Sequence, residues 1–208
     1  MAAFRAAVAA GAGIECDVRI ARDAVPIVFH DADLQRLCGV ARHANSLSSH
    51  ETLNSRLLGT DEHIPSLSDV LELVGRKVPL LLELKSERGT CRLLCGGVAE
   101  CLQSVEVDAA VMSFDPGVCR WFARNAPDVR RGIVMGVKES RLRRWTKLRM
   151  SRAQFAALET SLVPTRWAQA LRRKMPIATW TVRAADQREM LANQVDALIW
   201  EGDGRPRN

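Results

Sequence analysis

Three acidic residues in two apolar segments have the types and spacing of a metal site. Glu15 and Asp17 stand two apart in a strand-like segment, so both carboxylates are expected on one face of that strand. Glu83 interrupts a run of leucines in a second strand-like segment. Carboxylates in apolar surroundings repel one another unless a counter-charge neutralises them, and oxygen ligands suit Mg²⁺ or Ca²⁺. The alternative is structural pairing, in which Glu83 meets Lys85 at the end of its strand.

A histidine at the end of another apolar segment is a candidate for proton transfer. His30 follows residues 25–29, which have the apolar character of a strand. A histidine can donate or accept a proton near neutral pH, as hydrolysis at phosphorus requires. The alternative is a loop residue that is hydrogen-bonded to its own backbone. The other histidines have no ligand-like spacing and are predicted to lie on the surface: His43, His50 and His63.

Short apolar strands that alternate with helices must position these groups. Strands are predicted at 14–18, 25–29, 78–84, 109–114, 132–135, 155–158, 177–182 and 197–200. Helices are predicted at 2–10, 65–74, 116–125, 165–174 and 184–193, with a further helix ending near residue 104 and a polar loop over 31–63. This alternation predicts an α/β fold with a parallel sheet. Seven strands are of barrel type and 25–29 is a hairpin arm, so a (β/α)₈ barrel would lack one strand, and the opening helix points to the first.

Length and composition predict one globular domain over residues 1–208, with 47% hydrophobic and 26% charged residues. No apolar run is long enough for a membrane span, so stable membrane insertion is not expected. The alanine-rich start lacks a basic segment and is interrupted by Arg5, unlike a signal peptide. Six cysteines without a CxxC pair favour reduced thiols. The expected location is therefore the cytoplasm.

The positive charge is concentrated in the second half of the chain. Residues 1–104 carry 11 basic and 13 acidic residues, whereas residues 105–208 carry 19 and 11. The densest stretch, 141–152, has six basic residues and no acidic one. Such a stretch could attract nucleic acid or an anionic membrane surface, or it could be a solvated helix face. No nucleic-acid-binding motif accompanies it, so nucleic acid is not the expected partner.

Several of these segments together resemble the glycerophosphodiester phosphodiesterase family. The matching segments, in order, are GIECDV at 13–18, DAVPIVFHD at 23–31, LQRLCG at 34–39, IPSL at 64–67, LELK at 82–85, MSF at 112–114 and TWTV at 179–182. Each segment alone is a weak signal, but the combination is specific and covers nearly the whole chain. The resemblance implies a TIM barrel. It also implies hydrolysis of a glycerophosphodiester to sn-glycerol 3-phosphate and an alcohol, with a divalent metal.

The resemblance also assigns roles to individual residues. The family's metal ligands match the three acidic residues Glu15, Asp17 and Glu83. His30 matches one of two catalytic histidines, and Lys85 matches a basic residue near the phosphate. Trp180 matches an aromatic wall of the substrate pocket. These roles imply that the metal and Lys85 stabilise charge on the phosphate while His30 transfers a proton.

The chain departs from the family pattern at three places. It opens on the helix that normally follows the first strand, so the His-Arg-Gly strand and its second catalytic histidine have no counterpart. We expect either a true start further upstream or a truncated barrel with an exposed strand edge. Arg183 replaces the usual asparagine after TWTV, and IWEGDGRP at 199–206 replaces a Thr-Asp-x-Pro run.

The function predicted from the sequence is metal-dependent hydrolysis of a small-molecule phosphodiester. The alternative is an inactive, truncated barrel that binds a phosphodiester or a partner surface. Loss of one of two proton-transfer groups would typically lower the rate about 10²–10⁴-fold, which keeps this alternative open. An exposed edge beside the missing strand would favour an oligomer in which another subunit covers it.

Overall fold

The computed structural model describes residues 1–205, without the side chain of Asp203. The chain forms two compact units, Met1–Val111 with Asn125–Val129, and Met112–Arg124 with Arg130–Asn208.

The first unit is built around a short sheet that contains all three predicted metal ligands. Its elements are α1 (Ala2–Ala9), β1 (Ile14–Ile20), β2 (Pro26–Val28), β3 (Asp33–Leu34), α2 (Gln35–Cys38), β4 (Val40–His43), α3 (Ser49–Leu53), α4 (Leu67–Val74), β5 (Leu80–Leu84), α5 (Cys91–Ser104) and the start of β6 (Ala109–Ser113). Strand β1 pairs in parallel with β5 and antiparallel with β2. The strand order is β2-β1-β5-β6, and β3 pairs with β4 in a separate two-stranded sheet.

The segment 31–63 is not the featureless polar loop that the sequence predicts. It contains β3, α2, β4 and α3, together with a turn of 3₁₀ helix at Ala44–Ser46. Its buried residues Leu34, Ala44 and Leu47 pack with Ile27 and other apolar residues into a small core. These apolar residues are too widely spaced among polar ones to produce a helix or strand period, which explains why the prediction missed them.

Two helices of the first unit begin with reciprocal capping boxes. Ser66 caps α4 by accepting from the Asp69 amide, while the Asp69 side chain accepts from the Ser66 amide. Ser48 and Glu51 cap α3 in the same way. The predicted apolar stripe of α4 is buried: Leu67, Val70, Leu71 and Val74. The two boxes satisfy backbone donors at the helix starts and so fix where these helices begin.

Gly97 lets helix α5 lie unusually close to the turn between β1 and β2. A Cβ at Gly97 would be 2.9 Å from Pro26 Cγ and 3.2 Å from the Ala24 carbonyl oxygen. A residue without a side chain is therefore needed where the helix crosses the turn. This contact supports the β1–β2 arm, and His30 follows directly from that arm.

The second unit is a sheet of parallel strands with helices between them. Its elements are the end of β6, α6 (Pro116–Asn125), β7 (Arg130–Met135), α7 (Arg141–Ser151), β8 (Phe155–Glu159), α8 (Arg166–Arg172), β9 (Ile177–Val182), α9 (Ala185–Ala192) and β10 (Ala197–Trp200). Strands β7, β8, β9 and β10 pair in parallel in that order. The core of this unit includes Ile133, Met135, Leu158 and Val182. Because the strands are parallel, their carboxyl ends share one edge of this sheet.

The structure confirms the predicted α/β class and the order of its elements. Within residues 1–205, seven strands match the predicted barrel strands and β2 forms the predicted hairpin arm. Helix α1 precedes the first of these strands, as the sequence predicts. In the same described part of the chain, no helix is both long and apolar enough to cross a membrane.

Lys147 is a buried cation of the second unit, although it belongs to the basic stretch 141–152. Its Nζ donates to Glu139 Oε1 at 2.6 Å and to the Val134 carbonyl oxygen at 2.7 Å. It also lies 5.2 Å from the centroid of the Phe114 ring. Burial lowers the pKa of Lys147, while Glu139 opposes that shift. The ammonium therefore neutralises a carboxylate that is itself largely buried.

We expect Lys147→Met to lower the free energy of unfolding by about 3 kcal/mol, because it removes one partner of a largely buried ion pair and leaves the other charged. Urea denaturation would measure the change. The matched control Lys138→Met alters an exposed lysine nearby and should change the free energy by no more than about 0.5 kcal/mol. Equal stability of the two variants would contradict a stabilising role for the buried pair.

Candidate functional site

The structure brings the three predicted metal ligands together in the first unit. In the β1–β5 register, Asp17 is directly opposite Glu83. Alternate residues of β1 are buried, so Glu15 and Asp17 share the less buried face. One carboxylate oxygen from each of Glu15, Asp17 and Glu83 lies within 4.8 Å of the others. Three converging oxygen donors are the kind of set that a hard divalent cation prefers.

Lys85, the residue directly after β5, extends its side chain into the same cluster. Its Nζ is 2.9 Å from Asp17 Oδ1 and 2.5 Å from Glu83 Oε1. The Lys85 backbone amide donates to the Val18 carbonyl oxygen, which continues the β1–β5 ladder by one residue. From the sequence, metal binding and Glu83–Lys85 pairing are alternatives for this residue pair. The structure shows the pairing, and it also shows that Lys85 bridges two carboxylates.

One ammonium does not balance three carboxylates. Burial raises the pKa of Glu15 to about 8, and the charges of Asp17 and Glu83 add to this shift. Burial also raises the pKa of Glu83, although Lys85 opposes it. Burial lowers the pKa of Lys85, but the charges of Glu83 and Asp17 more than reverse the effect. The surplus of negative charge, together with the all-oxygen donor set, fits a divalent cation.

We expect the metal-free chain to become less stable as the pH rises from about 5 to about 8. The pKa of Glu15 in the folded chain, about 8, lies above its ordinary value of 4.5. Protonated Glu15 therefore stabilises the fold fully below the ordinary pKa, and this contribution is lost as the pH rises through the folded pKa. Urea denaturation in EDTA would measure the decline, and added Mg²⁺ or Ca²⁺ should reverse it at high pH.

The variant Glu15→Gln isolates this effect because it has no proton to lose. Its stability in EDTA should change less over the same pH interval than that of the wild type. An identical pH dependence in the two proteins would show that other groups determine it.

His30 lies at the end of the β1–β2 arm and is oriented by a carboxylate. Its Nδ1 is 2.7 Å from Asp31 Oδ1. Asp31 in turn accepts from Arg36 Nε at 2.7 Å and Nη2 at 2.8 Å. Arg36 holds the pKa of Asp31 at about 2, so this carboxylate stays ionised. An ionised Asp31 favours a proton on Nδ1 and leaves Nε2 to exchange a proton with a substrate.

The arm that carries His30 is also tied to β1. Arg19 Nε donates to the His30 carbonyl oxygen at 3.0 Å, and Arg19 Nη1 is 2.5 Å from Glu87 Oε1. Burial raises the pKa of Glu83, and the electrostatic interaction with His30 is one of the effects that oppose this shift. His30 therefore lies within electrostatic range of the carboxylate cluster. Its ring has Asp31 as a partner, unlike the backbone-bonded loop histidine considered as the alternative.

Sequence reasoning missed the three residues that orient His30: Asp31, Arg36 and Arg19. The His-Asp dipeptide at 30–31 was a usable signal, because a carboxylate beside a histidine can hold one ring nitrogen. The arginines gave no comparable signal, because antiparallel pairing of β1 with β2 brings Arg19 to the arm and the fold of the following segment brings Arg36 to Asp31. The remaining histidines are exposed as predicted: His43, His50 and His63.

Trp180 belongs to the second unit, on strand β9. Its ring meets Phe114 edge to face with centroids 5.6 Å apart, and its Nε1 donates to the Ala157 carbonyl oxygen at 3.3 Å. Arg183, which follows the same strand, forms an ion pair with Glu201 at 2.5 Å. Two of the unusual residues in this region thus neutralise each other. Of the segment 199–206, Pro206 lies outside the described residues.

Two of three comparisons with known proteins indicate the same family. A model of the glycerophosphoryl diester phosphodiesterase family matches residues 1–201. A search of curated proteins finds no match.

Among solved structures, the chain is similar to an Oleispira antarctica phosphodiesterase in complex with the product sn-glycerol-3-phosphate. That likeness has a TM-score of 0.88 at 19% identity and covers 98% of this chain and 87% of the other. A Thermotoga maritima glycerophosphodiester phosphodiesterase gives a TM-score of 0.79 at 23% identity, with 96% and 86% covered. An Agrobacterium tumefaciens enzyme of the same description gives 0.77 at 20% identity, with 98% and 90% covered. These likenesses confirm the predicted TIM-barrel fold.

Proposed function

The chain belongs to the glycerophosphoryl diester phosphodiesterase family, and from that premise we propose that it hydrolyses glycerophosphodiesters to sn-glycerol 3-phosphate and an alcohol with Mg²⁺ or Ca²⁺. Family membership makes the chain a phosphodiesterase. The observation that carries the finer proposal is the convergence of Glu15, Asp17 and Glu83 within 4.8 Å, beside Lys85 and within range of His30. The bound product in the Oleispira antarctica structure supports the choice of substrate class.

We assign the metal to the three carboxylates of the first unit. Glu15, Asp17 and Glu83 would hold it, and when bound it supplies Lewis-acid polarisation of phosphate oxygens. Lys85 provides a fixed positive charge beside these ligands, where it can stabilise negative charge that develops on the phosphate. The Asp17 and Glu83 carboxylates hold its ammonium in place and keep it charged.

His30 is the proposed proton-transfer group. Its Nε2 either donates a proton to the oxygen of the leaving alcohol or accepts one from the attacking oxygen. Asp31 holds Nδ1 and stabilises the ring when it carries both protons, and Arg36 fixes Asp31. Trp180 is proposed as the apolar wall for the substrate, and Phe114 fixes its ring edge to face.

Hydrolysis of glycerophosphocholine by the purified chain tests the proposal. Release of glycerol 3-phosphate would be followed by phosphorus NMR with Mg²⁺, with Ca²⁺ and with EDTA. We expect release with a divalent ion and none above background in EDTA. Folded protein that binds glycerophosphodiesters with choline, ethanolamine or glycerol head groups but releases no product would overturn the proposal and favour an inactive binding protein.

The proposed partner is a small phosphodiester, and the proposed location is the cytoplasm. The structure holds Cys16, Cys38, Cys101 and Cys119 as thiols, which is the state that a reducing compartment maintains. An oligomer remains a proposal from the sequence, and sedimentation of the folded protein would test it.

A further inference from the structure

Helix α7 presents large apolar side chains to solvent. Leu142 is 71% exposed and Trp145 is 56% exposed. Together with Arg149 they are three and four residues apart, so they form one ridge along the helix. Lys147 and Ser151, on the opposite side of the helix, are buried in the second unit. The Leu142–Trp145–Arg149 ridge therefore points away from the body of that unit.

Cations lie on both sides of this ridge along the helix. Arg141 and Arg143 are exposed at the start of the helix, and Arg152 is exposed just after its end. Within 141–152 there is no acidic residue. The nearest preceding acid, Glu139, is occupied by Lys147 at 2.6 Å, while Arg143 is 3.9 Å away from it. The outer face of α7 thus combines an excess of positive charge with an apolar centre.

Within the Leu142–Trp145–Arg149 ridge, a basic side chain contacts an aromatic one. The Arg149 guanidinium lies 5.2 Å from the centroid of the Trp145 ring, a cation–π contact on the surface of the helix. Val137 and Lys138, both exposed, add an apolar and a basic side chain in the loop before α7. Leu142 and Trp145 are neighbours on one helix face and form a contiguous exposed apolar patch, and such a patch marks an interaction surface more often than single exposed residues do.

We propose that the outer face of α7 binds the surface of an anionic phospholipid bilayer. A helix with Trp and Leu on its outward side and arginines around them lies in the interface, with the apolar side chains below the headgroups and the arginines on lipid phosphates. A polyanion such as nucleic acid would use the arginines but gives Leu142 no apolar environment. This charge complementarity and the apolar ridge together favour a lipid surface. The association is peripheral and needs no membrane-spanning segment.

Co-sedimentation with vesicles tests this surface. The full chain would be mixed at low salt with vesicles of phosphatidylcholine alone, or of phosphatidylcholine with about 30% phosphatidylglycerol. We expect about tenfold or greater preference for the anionic vesicles. Both Leu142→Ser/Trp145→Ser and Arg141→Gln/Arg149→Gln should lower that binding about fivefold or more.

Matched controls come from exposed residues elsewhere. Leu93, which is 56% exposed on α5, provides Leu93→Ser. Arg120 and Arg124, exposed on α6, provide Arg120→Gln/Arg124→Gln. These variants should bind the anionic vesicles like the wild type. Equal losses in the controls would mean that the effect is not specific to α7, and would overturn the proposal.

Two further outcomes would also overturn it. One is an absence of vesicle binding at low salt. The other is binding to a DNA duplex of about 20 base pairs that competes fully with the vesicles and is unaffected by Leu142→Ser/Trp145→Ser. Vesicle binding requires no turnover. A failure of glycerophosphocholine hydrolysis would therefore count against the proposed function without affecting the interpretation of the vesicle experiment.

Discussion

Glu83→Gln is expected to lower kcat/KM for glycerophosphocholine by about 10³-fold or more and to abolish measurable binding of Mg²⁺ or Ca²⁺. The substitution keeps the shape of the side chain but replaces one of the three carboxyl groups whose oxygens converge within 4.8 Å by a neutral amide. Metal polarisation of a phosphate contributes several kcal/mol to transition-state stabilisation, which corresponds to a factor of this size. Hydrolysis rates and calorimetric titration of the divalent ion would measure both effects.

The matched control for this variant is Glu72→Gln, which alters an exposed glutamate on α4. It should retain wild-type activity and metal affinity. Circular dichroism would show whether Glu83→Gln keeps its fold, as expected while Lys85 still meets Asp17 at 2.9 Å. A folded Glu83→Gln variant with wild-type metal affinity and rate would refute the assignment of this residue as a ligand.

His30→Asn is expected to lower kcat by about 10²–10⁴-fold with little change in KM. Asparagine retains a hydrogen-bonding side chain but cannot exchange a proton near neutral pH. Because His30 is not among the three metal ligands, divalent-ion affinity should stay close to that of the wild type. Steady-state kinetics and the same calorimetric titration would separate proton transfer from metal binding.

His43→Asn serves as the control because His43 is exposed and has no assigned role. It should leave kcat unchanged. Full activity of His30→Asn would move the proton transfer to another group or to solvent. A loss of metal affinity in His30→Asn equal to that in Glu83→Gln would instead indicate that His30 supports the metal cluster directly.

The sequence predicted the carboxylate cluster well because strand geometry is nearly deterministic at this site. Two acids separated by one residue on a strand share a face, and Glu83 needed only a parallel neighbour in register. The pairing of Asp17 with Glu83 supplied that register. The alternation of apolar strands and helices likewise predicted the order of the elements, since each segment carries its own periodicity.

Contacts between residues distant in the chain were the part that could not be predicted. Lys147 looked like one cation among six in a basic stretch, yet it is buried because Glu139 and the Val134 carbonyl oxygen accept its hydrogen bonds. Arg36 gave no sign that it fixes Asp31. The pattern of 31–63 predicts a polar loop, because its few apolar residues become a core only after the chain folds back. Hydrophobic periodicity carries no information on such contacts.

The bridge that Lys85 makes between Asp17 and Glu83 has a consequence for how the site responds to its surroundings. A cation tethered to the chain has an effective local concentration that neither dilution nor a chelator can reduce. A divalent ion would then join carboxylates that already carry one resident positive charge rather than a bare cluster of like charges. We therefore expect the metal-free chain to stay folded, so that its activity follows the free divalent-ion concentration.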